Sequence, residues 1–99
     1  MSYRVRYTKA AREDLRRLFD FLVERDLKAA YRARDAIVNG IEFLQELPFS
    51  CRKAEADNPF LRELVISFGV AGYVALFEIE DSETVTILAI RHQREDDYF

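Results

Sequence analysis

The spacing of apolar residues changes along the chain, and each change marks a different element. Tyr3, Val5 and Tyr7 alternate with arginines, and this period of two predicts a short strand. From residue 11 to residue 23 the apolar residues instead recur at helical spacing and form one stripe. Thr8 stands just before this stripe, where a helix N-cap belongs. The chain is therefore predicted to open with a strand followed by an amphipathic helix.

A second apolar stripe begins after Asp26, which we interpret as a break between two helices. Pro48 is expected to end the second helix, because proline lacks the backbone N–H that a helix interior requires. Two such helices with a short connection predict a helical hairpin. The second stripe consists of Ala30, Ala33, Ile37, Ile41, Leu44 and Leu47.

Residues 48–60 (PFSCRKAEADNPF) contain two prolines, mixed charge and no apolar period. This composition predicts the one long loop of the chain. Loops of that length are usually functional or mobile. A plain connector is the alternative, because surface loops tolerate variation.

The rest of the chain has the composition of strands. Runs rich in β-forming residues cover 61–68, 73–79 and 84–90, and Gly69, Gly72 and the acidic residues 80–83 mark the turns between them. Short turns between adjacent runs imply antiparallel hairpins. We predict a single α+β domain over residues 1–99. Its two-layer architecture is β-α-α-β-β-β, with the helical hairpin packed on one face of a mainly antiparallel sheet.

Both faces of the central strands are largely apolar, whereas an antiparallel sheet with one wet face alternates cleanly. Two helices cover only one face, so the other face needs a different cover. We hypothesise a groove for a partner protein, since a large exposed apolar patch marks an interaction site. The alternative is that the loop 48–60 and the C-terminal tail fill it. The residues assigned to this groove are Val74, Leu76, Leu88 and Ile90.

Charge and composition exclude several classes of protein. The net charge is −3, with +4 in residues 1–35 and −7 in residues 36–99, so bulk electrostatics do not favour direct nucleic-acid binding. No apolar run is long enough for a membrane span, and the N-terminus lacks the apolar segment of a secretory signal. The single cysteine, Cys51, cannot form an internal disulfide. We therefore expect a cytoplasmic protein.

Few residues suggest chemistry. His92 is the only histidine, with no clear nucleophile and no cluster of metal ligands near it in sequence. Cys51 lies beside Arg52 and Lys53, whose charges would lower its pKa, yet nothing fixes a base beside it. We expect no catalytic residue, no metal and no cofactor.

The better candidates are contact residues near strand ends. Arg62 leads one predicted strand, and Arg91 and Arg94 leave another. Such arginines can clamp phosphate or carboxylate, and surface ion pairing is the alternative. Tyr98 and the final Phe99 either dock on the sheet or engage a partner, since chain ends fray unless tied down.

The ordered segments of this chain resemble the RelE/ParE toxin superfamily of type II toxin–antitoxin systems. The resemblance covers nearly the whole chain and is most specific in its closing segment. The segments are YTKAAREDLRRLFDFL (7–22), AIVNGIEFLQELP (36–48), LREL (61–64), GYVALFEIE (72–80) and ILAIRHQREDDYF (87–99).

Within that superfamily, RelE-like members cut ribosome-bound mRNA with a set of Lys, Arg and Tyr side chains, and ParE-like members lack that set and poison DNA gyrase. The arginine that follows a Gly-Tyr pair in RelE-like toxins corresponds here to Val74. The two alternating lysines correspond to Arg62 and Leu64, and the later arginine corresponds to Gln93. Tyr98 matches the terminal tyrosine. These losses leave too few cations to stabilise charge on a phosphate, so the resemblance implies the ParE-like branch.

The resemblance implies a toxin that inhibits DNA gyrase and replication by protein contact, stabilises plasmids and is neutralised by a ParD-like antitoxin. Its expected contact residues are Arg62, Arg91, His92, Arg94 and Tyr98, with no division between gyrase and antitoxin. Two alternatives stay open. One is a RelE-like ribosome-dependent mRNA endoribonuclease with a site rebuilt from Arg62, Arg91, His92 and Arg94, and the other is a non-toxic binding module of the same fold.

Overall fold

The structure, a computed structural model, describes residues 2–94 and confirms the predicted two-layer α+β architecture. Its five strands form one sheet in the order β1-β5-β4-β3-β2, in which β1 runs parallel to β5 and the other neighbours are antiparallel. The elements are β1 (Arg4–Tyr7), α1 (Lys9–Val23), α2 (Leu27–Phe43), a 3-10 turn (Pro48–Ser50), β2 (Arg52–Glu55), β3 (Asn58–Phe68), β4 (Ala71–Ile79) and β5 (Thr84–His92).

Both helices begin at a side-chain cap. The Thr8 hydroxyl accepts a hydrogen bond from the N–H of Ala11 at 3.0 Å, which confirms the predicted cap. Asp26 accepts one from the N–H of Ala29 at 3.1 Å, so the predicted break is also the start of α2. Each cap satisfies a backbone N–H that the first helical turn leaves without an intrahelical partner. No helix within residues 2–94 has the length and apolar character needed to cross a membrane.

The core lies between the helical hairpin and one face of the sheet, which we call the helix face. The opposite face of the sheet is called the open face. Phe77, Val85, Ile87 and Ile90 are fully buried on the helix face, and Ile37 and Ile41 of α2 pack against the same cluster.

The prediction that residues 48–60 form one loop is wrong. This segment contains the 3-10 turn, the short strand β2 and the start of β3. Strand β2 lies at the sheet edge and is largely exposed, so its sequence RKAE shows no alternation for a period to detect. Pro48 and Cys51 are buried, and Cys51 belongs to the core. The segment therefore closes one end of the core and extends the sheet, and it does not cover the open face.

A β-bulge in β5 changes which residues face the helices. Leu76 pairs with Ala89 but Phe77 pairs with Ile87, so Leu88 is an extra residue in β5. A one-residue shift moves every later side chain to the other face. The prediction that Ile90 shares a face with Leu88 is wrong: Ile90 is fully buried in the core. Its backbone N–H donates to Asp14 Oδ2 of α1 at 2.9 Å.

The hairpin of β3 and β4 depends on two glycines. Gly69 has φ +64°, a conformation that favours glycine. At Gly72, a Cβ atom would lie 1.9 Å from the carbonyl oxygen of Ile66. Between them Val70 is 97% exposed at the tip of the turn. The close approach at Gly72 thus explains why the second glycine is needed inside a strand.

Candidate functional site

The open face carries one row of predicted contact residues near the end of the sheet. Val65, Val74 and Arg91 lie side by side on β3, β4 and β5. Val65 is 44% exposed, whereas Val74 is buried. The Arg91 guanidinium folds back along its own strand, where Nη1 donates to the carbonyl oxygens of His92 at 3.3 Å and Gln93 at 3.5 Å. The accessible part of this row is therefore Val65 and Arg91, with the buried Val74 between them.

The next row of the open face is formed by Glu63, Leu76 and Ala89. Leu76 is half-buried, and Glu63 accepts a hydrogen bond from Arg52 Nε of β2 at 3.0 Å. Leu88, at the bulge, is also half-buried. Two of the four predicted groove residues, Leu76 and Leu88, are therefore accessible on the open face, whereas Val74 and Ile90 are buried.

Arg62 lies on the other face of β3 from these rows, and its side chain bonds to backbone groups. Its partner on β4 is Phe77, whose side chain is in the core. Arg62 Nε donates to the carbonyl oxygen of Pro59 at 2.7 Å, and Nη1 donates to those of Phe49 at 2.9 Å and Cys51 at 2.7 Å. The guanidinium also lies 5.2 Å from the centre of the Phe49 ring. Arg62 thus ties the segment after α2 to the start of β3.

His92 closes the opposite end of the sheet. Its ring meets Tyr73 edge-on, with 5.6 Å between ring centres. His92 Nδ1 accepts a hydrogen bond from the N–H of Arg94 at 3.1 Å, and the N–H of Gln93 donates to the carbonyl oxygen of Gly72 at 2.8 Å. These contacts fix the chain as it leaves β5, at a cleft of about 540 Å³ between α1 and the tip of the β3–β4 hairpin.

The predicted contact residues therefore form two separate groups. Arg62 pairs with Phe77 and His92 pairs with Tyr73, four residues further along β4. At a rise of about 3.4 Å per residue this is about 14 Å along the strand, before the width of two strand spacings is added. Arg91, His92 and Arg94 are neighbours at one end, and Arg62 is at the other. Tyr98 lies outside the described residues.

The environment of Cys51 differs from the expected one. Its side chain is buried in the core, and this burial raises the thiol pKa above its ordinary value, although the charge of Arg62 acts in the opposite direction. The prediction that neighbouring cations lower this pKa is wrong, because loss of hydration of the thiolate outweighs their attraction. Within residues 2–94, His, Cys, Asp and Glu side chains form no group able to hold a metal ion.

Sequence reasoning missed an apolar crevice in the helical hairpin. It measures about 330 Å³, lies between α1 and α2, and has Arg16 and Arg34 at its rim. Half-exposed Tyr31 and Val38 extend the apolar surface along α2. The only signal in the sequence was the presence of Tyr31 and Val38, which are apolar residues of the second helix outside its stripe. Residues lining the crevice include Leu15, Leu18, Phe19, Leu22, Ala30 and Ala33.

Comparison with known proteins places this chain in a family. The family model for the ParE toxin of the type II toxin–antitoxin system parDE matches residues 5–97. The chain belongs to the ParE toxin family. The predicted membership in the RelE/ParE superfamily, on its ParE-like branch, is confirmed.

This ParE-family toxin also resembles curated toxins with RelE names. Toxin RelE3 of Caulobacter vibrioides is 38% identical over 86 residues, which cover 86% of this chain and 88% of that protein. Toxin RelE1 of the same organism is 33% identical over 92 residues, which cover 93% and 95% of the two chains.

A solved chromosomal ParDE toxin–antitoxin system from P. aeruginosa matches the ParE-family toxin with a TM-score of 0.73. The match covers 92% of this chain and 96% of the other at 22% identity. This likeness supports the fold, in which a helical hairpin packs on one face of a mixed five-stranded sheet.

Proposed function

We propose that this toxin of a type II toxin–antitoxin system inhibits DNA gyrase in the cytoplasm by protein contact, without chemistry of its own. The proposal rests on the composition of the open face around Arg91. Its neighbours in the row are Val65 and Val74, and the next row holds Glu63. Cleavage of RNA requires several cations that converge on one phosphate to stabilise its developing charge. This surface suits recognition of a protein better than phosphoryl chemistry.

The position of Arg62 supports the same proposal. Its guanidinium donates to three backbone carbonyl groups of the segment 49–59, which runs from the 3-10 turn to the start of β3. A nuclease site rebuilt from Arg62, Arg91, His92 and Arg94 would need these side chains within a few ångströms of one phosphate. Along β4 alone, about 14 Å separates the position of Arg62 from that of His92.

We assign target contact to Arg91, His92 and Arg94, together with Tyr98. Arg91 and His92 are the last residues of β5, and Arg94, two residues further on, is exposed. Arg62 contributes indirectly, because it fixes the segment that carries Phe49. An arginine in a protein interface pairs with carboxylates through its planar fork. Arg91→Ala and Arg94→Ala are therefore expected to weaken binding to gyrase.

We propose that a ParD-like antitoxin covers two apolar surfaces of the toxin. One is the crevice between α1 and α2, which suits the apolar side of an amphipathic helix. Arg16 and Arg34 at its rim favour acidic residues beside that apolar side. The other is the open face around Leu76 and Leu88, where an extended antitoxin segment would lie. Covering both surfaces would remove apolar area from water, which stabilises association.

Activity assays on the purified toxin test the proposal. Gyrase is incubated with relaxed plasmid and toxin, and supercoiling and gyrase-dependent DNA breaks are measured. We expect loss of supercoiling, reduced in Arg91→Ala and retained in the control Arg16→Ala, whose side chain is 85% exposed and pairs weakly with Asp20 at 3.9 Å. Full gyrase activity at saturating toxin would refute gyrase as the target.

The second candidate is a ribosome-dependent mRNA endoribonuclease, because the curated relatives carry RelE names. The same preparations are assayed on translating ribosomes with labelled mRNA. Cleavage that depends on Arg91 would favour the nuclease, whereas intact mRNA together with inhibited gyrase favours the first proposal. Normal growth of cells that express the toxin without antitoxin would favour a non-toxic binding module.

Antitoxin binding is tested separately at the hairpin crevice. Val38 is 46% exposed and contributes to the crevice, so Val38→Glu introduces a charge where an apolar contact is proposed. We expect calorimetry with the cognate antitoxin to show at least tenfold weaker binding. Val70→Glu, at the exposed turn between β3 and β4, is the control and should bind normally. Equal affinity for both variants and the wild type would refute the crevice as a contact surface.

A further inference from the structure

A second cleft lies at the end of the sheet opposite His92. It has a volume of about 640 Å³, and it opens between the 3-10 turn, the start of β3 and the turn from β4 to β5. Two aromatic rings, those of Phe49 and Phe60, form one part of its wall. Three carboxylate residues, Glu78, Glu80 and Asp81, form another part. The cleft thus combines ring faces with negative charge.

The two rings are held in a defined arrangement although both are half exposed. Phe49 is 46% exposed and Phe60 is 50% exposed, with ring centres 6.1 Å apart and an angle of 73° between the rings. Arg62 bonds to the carbonyl oxygen of Phe49 and to that of Pro59, beside Phe60. The N–H of Phe60 donates to Asn58 Oδ1 at 3.0 Å. These bonds fix the backbone on both sides of the ring pair, so a ligand would meet rings that are already ordered.

The carboxylates of this cleft lack ion pairs within the described part of the chain. No cation of residues 2–94 lies within ion-pair distance of Glu78, Glu80 or Asp81. Glu80 accepts a hydrogen bond from the Thr86 hydroxyl. Hydrogen bonding from the N–H of Glu83 keeps the pKa of Asp81 below its ordinary value, with a smaller contribution from the charge of Arg4. The cleft therefore presents negative charge at neutral pH.

We propose that this cleft binds an arginine side chain of a protein partner. The planar guanidinium would stack on the Phe60 ring and face Glu78, because Phe49 stands at 73° to Phe60 and already has the Arg62 guanidinium 5.2 Å from its ring centre. Ring faces attract cations, and arginine stacks on aromatic rings more readily than lysine because its guanidinium is planar and weakly hydrated. Charge complementarity favours this occupant over an acidic or a purely apolar one. The site is separate from the Arg91 row, so it does not depend on which molecule the toxin inhibits.

The test uses the full-length toxin labelled with ¹⁵N and the peptide acetyl-Gly-Arg-Gly-amide. The matched control peptide replaces arginine with citrulline, which has nearly the same shape but no charge. We expect arginine-dependent amide shifts at Phe49, Phe60 and residues 78–82, and much smaller shifts with citrulline. Equal shifts with both peptides, or shifts located elsewhere, would overturn the proposal.

Two variants then separate the contributions of ring and charge. Phe60→Ala and Glu78→Gln should each weaken arginine-peptide binding by about two- to fivefold, since an exposed cation–π or ion-pair contact is worth up to about 1 kcal/mol. Phe43→Ala is the control, because Phe43 is 42% exposed at the end of α2 and does not line the cleft. The spectra themselves report whether each variant is folded. Unchanged affinity in both cleft variants would overturn the proposal.

Discussion

Arg62 provides a direct test of the difference between a structural arginine and a contact arginine. It donates to three backbone carbonyl groups, and the bond to Cys51 is partly buried. A hydrogen bond from a charged donor contributes up to about 1.5–3 kcal/mol, and we take about 1 kcal/mol per bond because the side chain is only half-buried. Arg62→Ala should therefore lower the free energy of unfolding by about 2–3 kcal/mol. For a domain of this size that loss corresponds to a fall in Tm of roughly 10–20 °C.

Urea unfolding followed by far-UV circular dichroism measures this change. Arg62→Lys is the informative partner variant, because lysine keeps the charge but cannot reproduce the planar fork. We expect it to recover less than half of the loss. The control Arg52→Ala removes an exposed pair with Glu63 and should cost less than about 1 kcal/mol.

The result that would refute this reasoning is a stability of Arg62→Ala within about 0.5 kcal/mol of the wild type, the range of ordinary surface substitutions. Such a result would leave the guanidinium available for a target. If Arg62→Lys restored the full stability of the wild type, the positive charge would account for the stabilisation, and the geometry of the three hydrogen bonds would not. The m-value should stay constant, since the substitution does not change the surface exposed on unfolding.

Three further outcomes are expected from other parts of the fold. Gly72→Ala should lower the Tm far more than Gly69→Ala. At Gly72 the added Cβ would overlap backbone, whereas at Gly69 the positive φ costs an L-residue only about 1–2 kcal/mol. Equal Tm values for the two variants would contradict the register between β3 and β4. Asp14→Ala should speed hydrogen exchange of the Ile90 amide, measured by NMR, because it removes the acceptor of that N–H; unchanged exchange would argue against this bond. Asp81→Ala should be less stable than the wild type at pH 6, and the difference in stability should shrink as the pH falls below 3.8. The reason is that the pKa of Asp81 is lowered in the fold, so this side chain stabilises the fold only while its carboxylate is ionised. A difference in stability that is independent of pH would exclude this charge effect.

The helices were predictable because their apolar side chains recur on the one side that faces the core. The central strands were predictable because runs of β-forming residues stand between turn residues. The caps at Thr8 and Asp26 were readable for a related reason, since short polar side chains at a helix start satisfy local N–H groups. Edge strand β2 was not predictable. Its residues are mostly exposed, and the pairing with β3 that places them in the sheet has an irregular register, so no period of two marks the strand.

The candidate site was predicted less well than the fold. Arg91, His92 and Arg94 were expected near one strand end, and they lie there. Arg62 was grouped with them by residue type alone, although strand pairing puts it near the opposite end of the sheet. The role of Arg62 depends on three carbonyl groups that lie up to 13 residues away in sequence. No local pattern encodes such a bond, so the sequence could suggest the chemistry of this side chain but not its location.

The extra residue in β5 has a consequence for how such toxins can diversify. Leu88 is the extra residue of the bulge and has no partner on β4. Because of this insertion, Arg91 lies on the open face and His92 faces Tyr73 on the helix face. Deleting one residue at that point would exchange the two, and the outer surface would then offer an imidazole where it now offers a guanidinium. Ile90 would be turned outward at the same time and the core would lose a fully buried side chain. Partner specificity at this end of the sheet is therefore tied to chain length as much as to residue identity, so a comparison of related toxins must count residues in this strand before it compares their side chains.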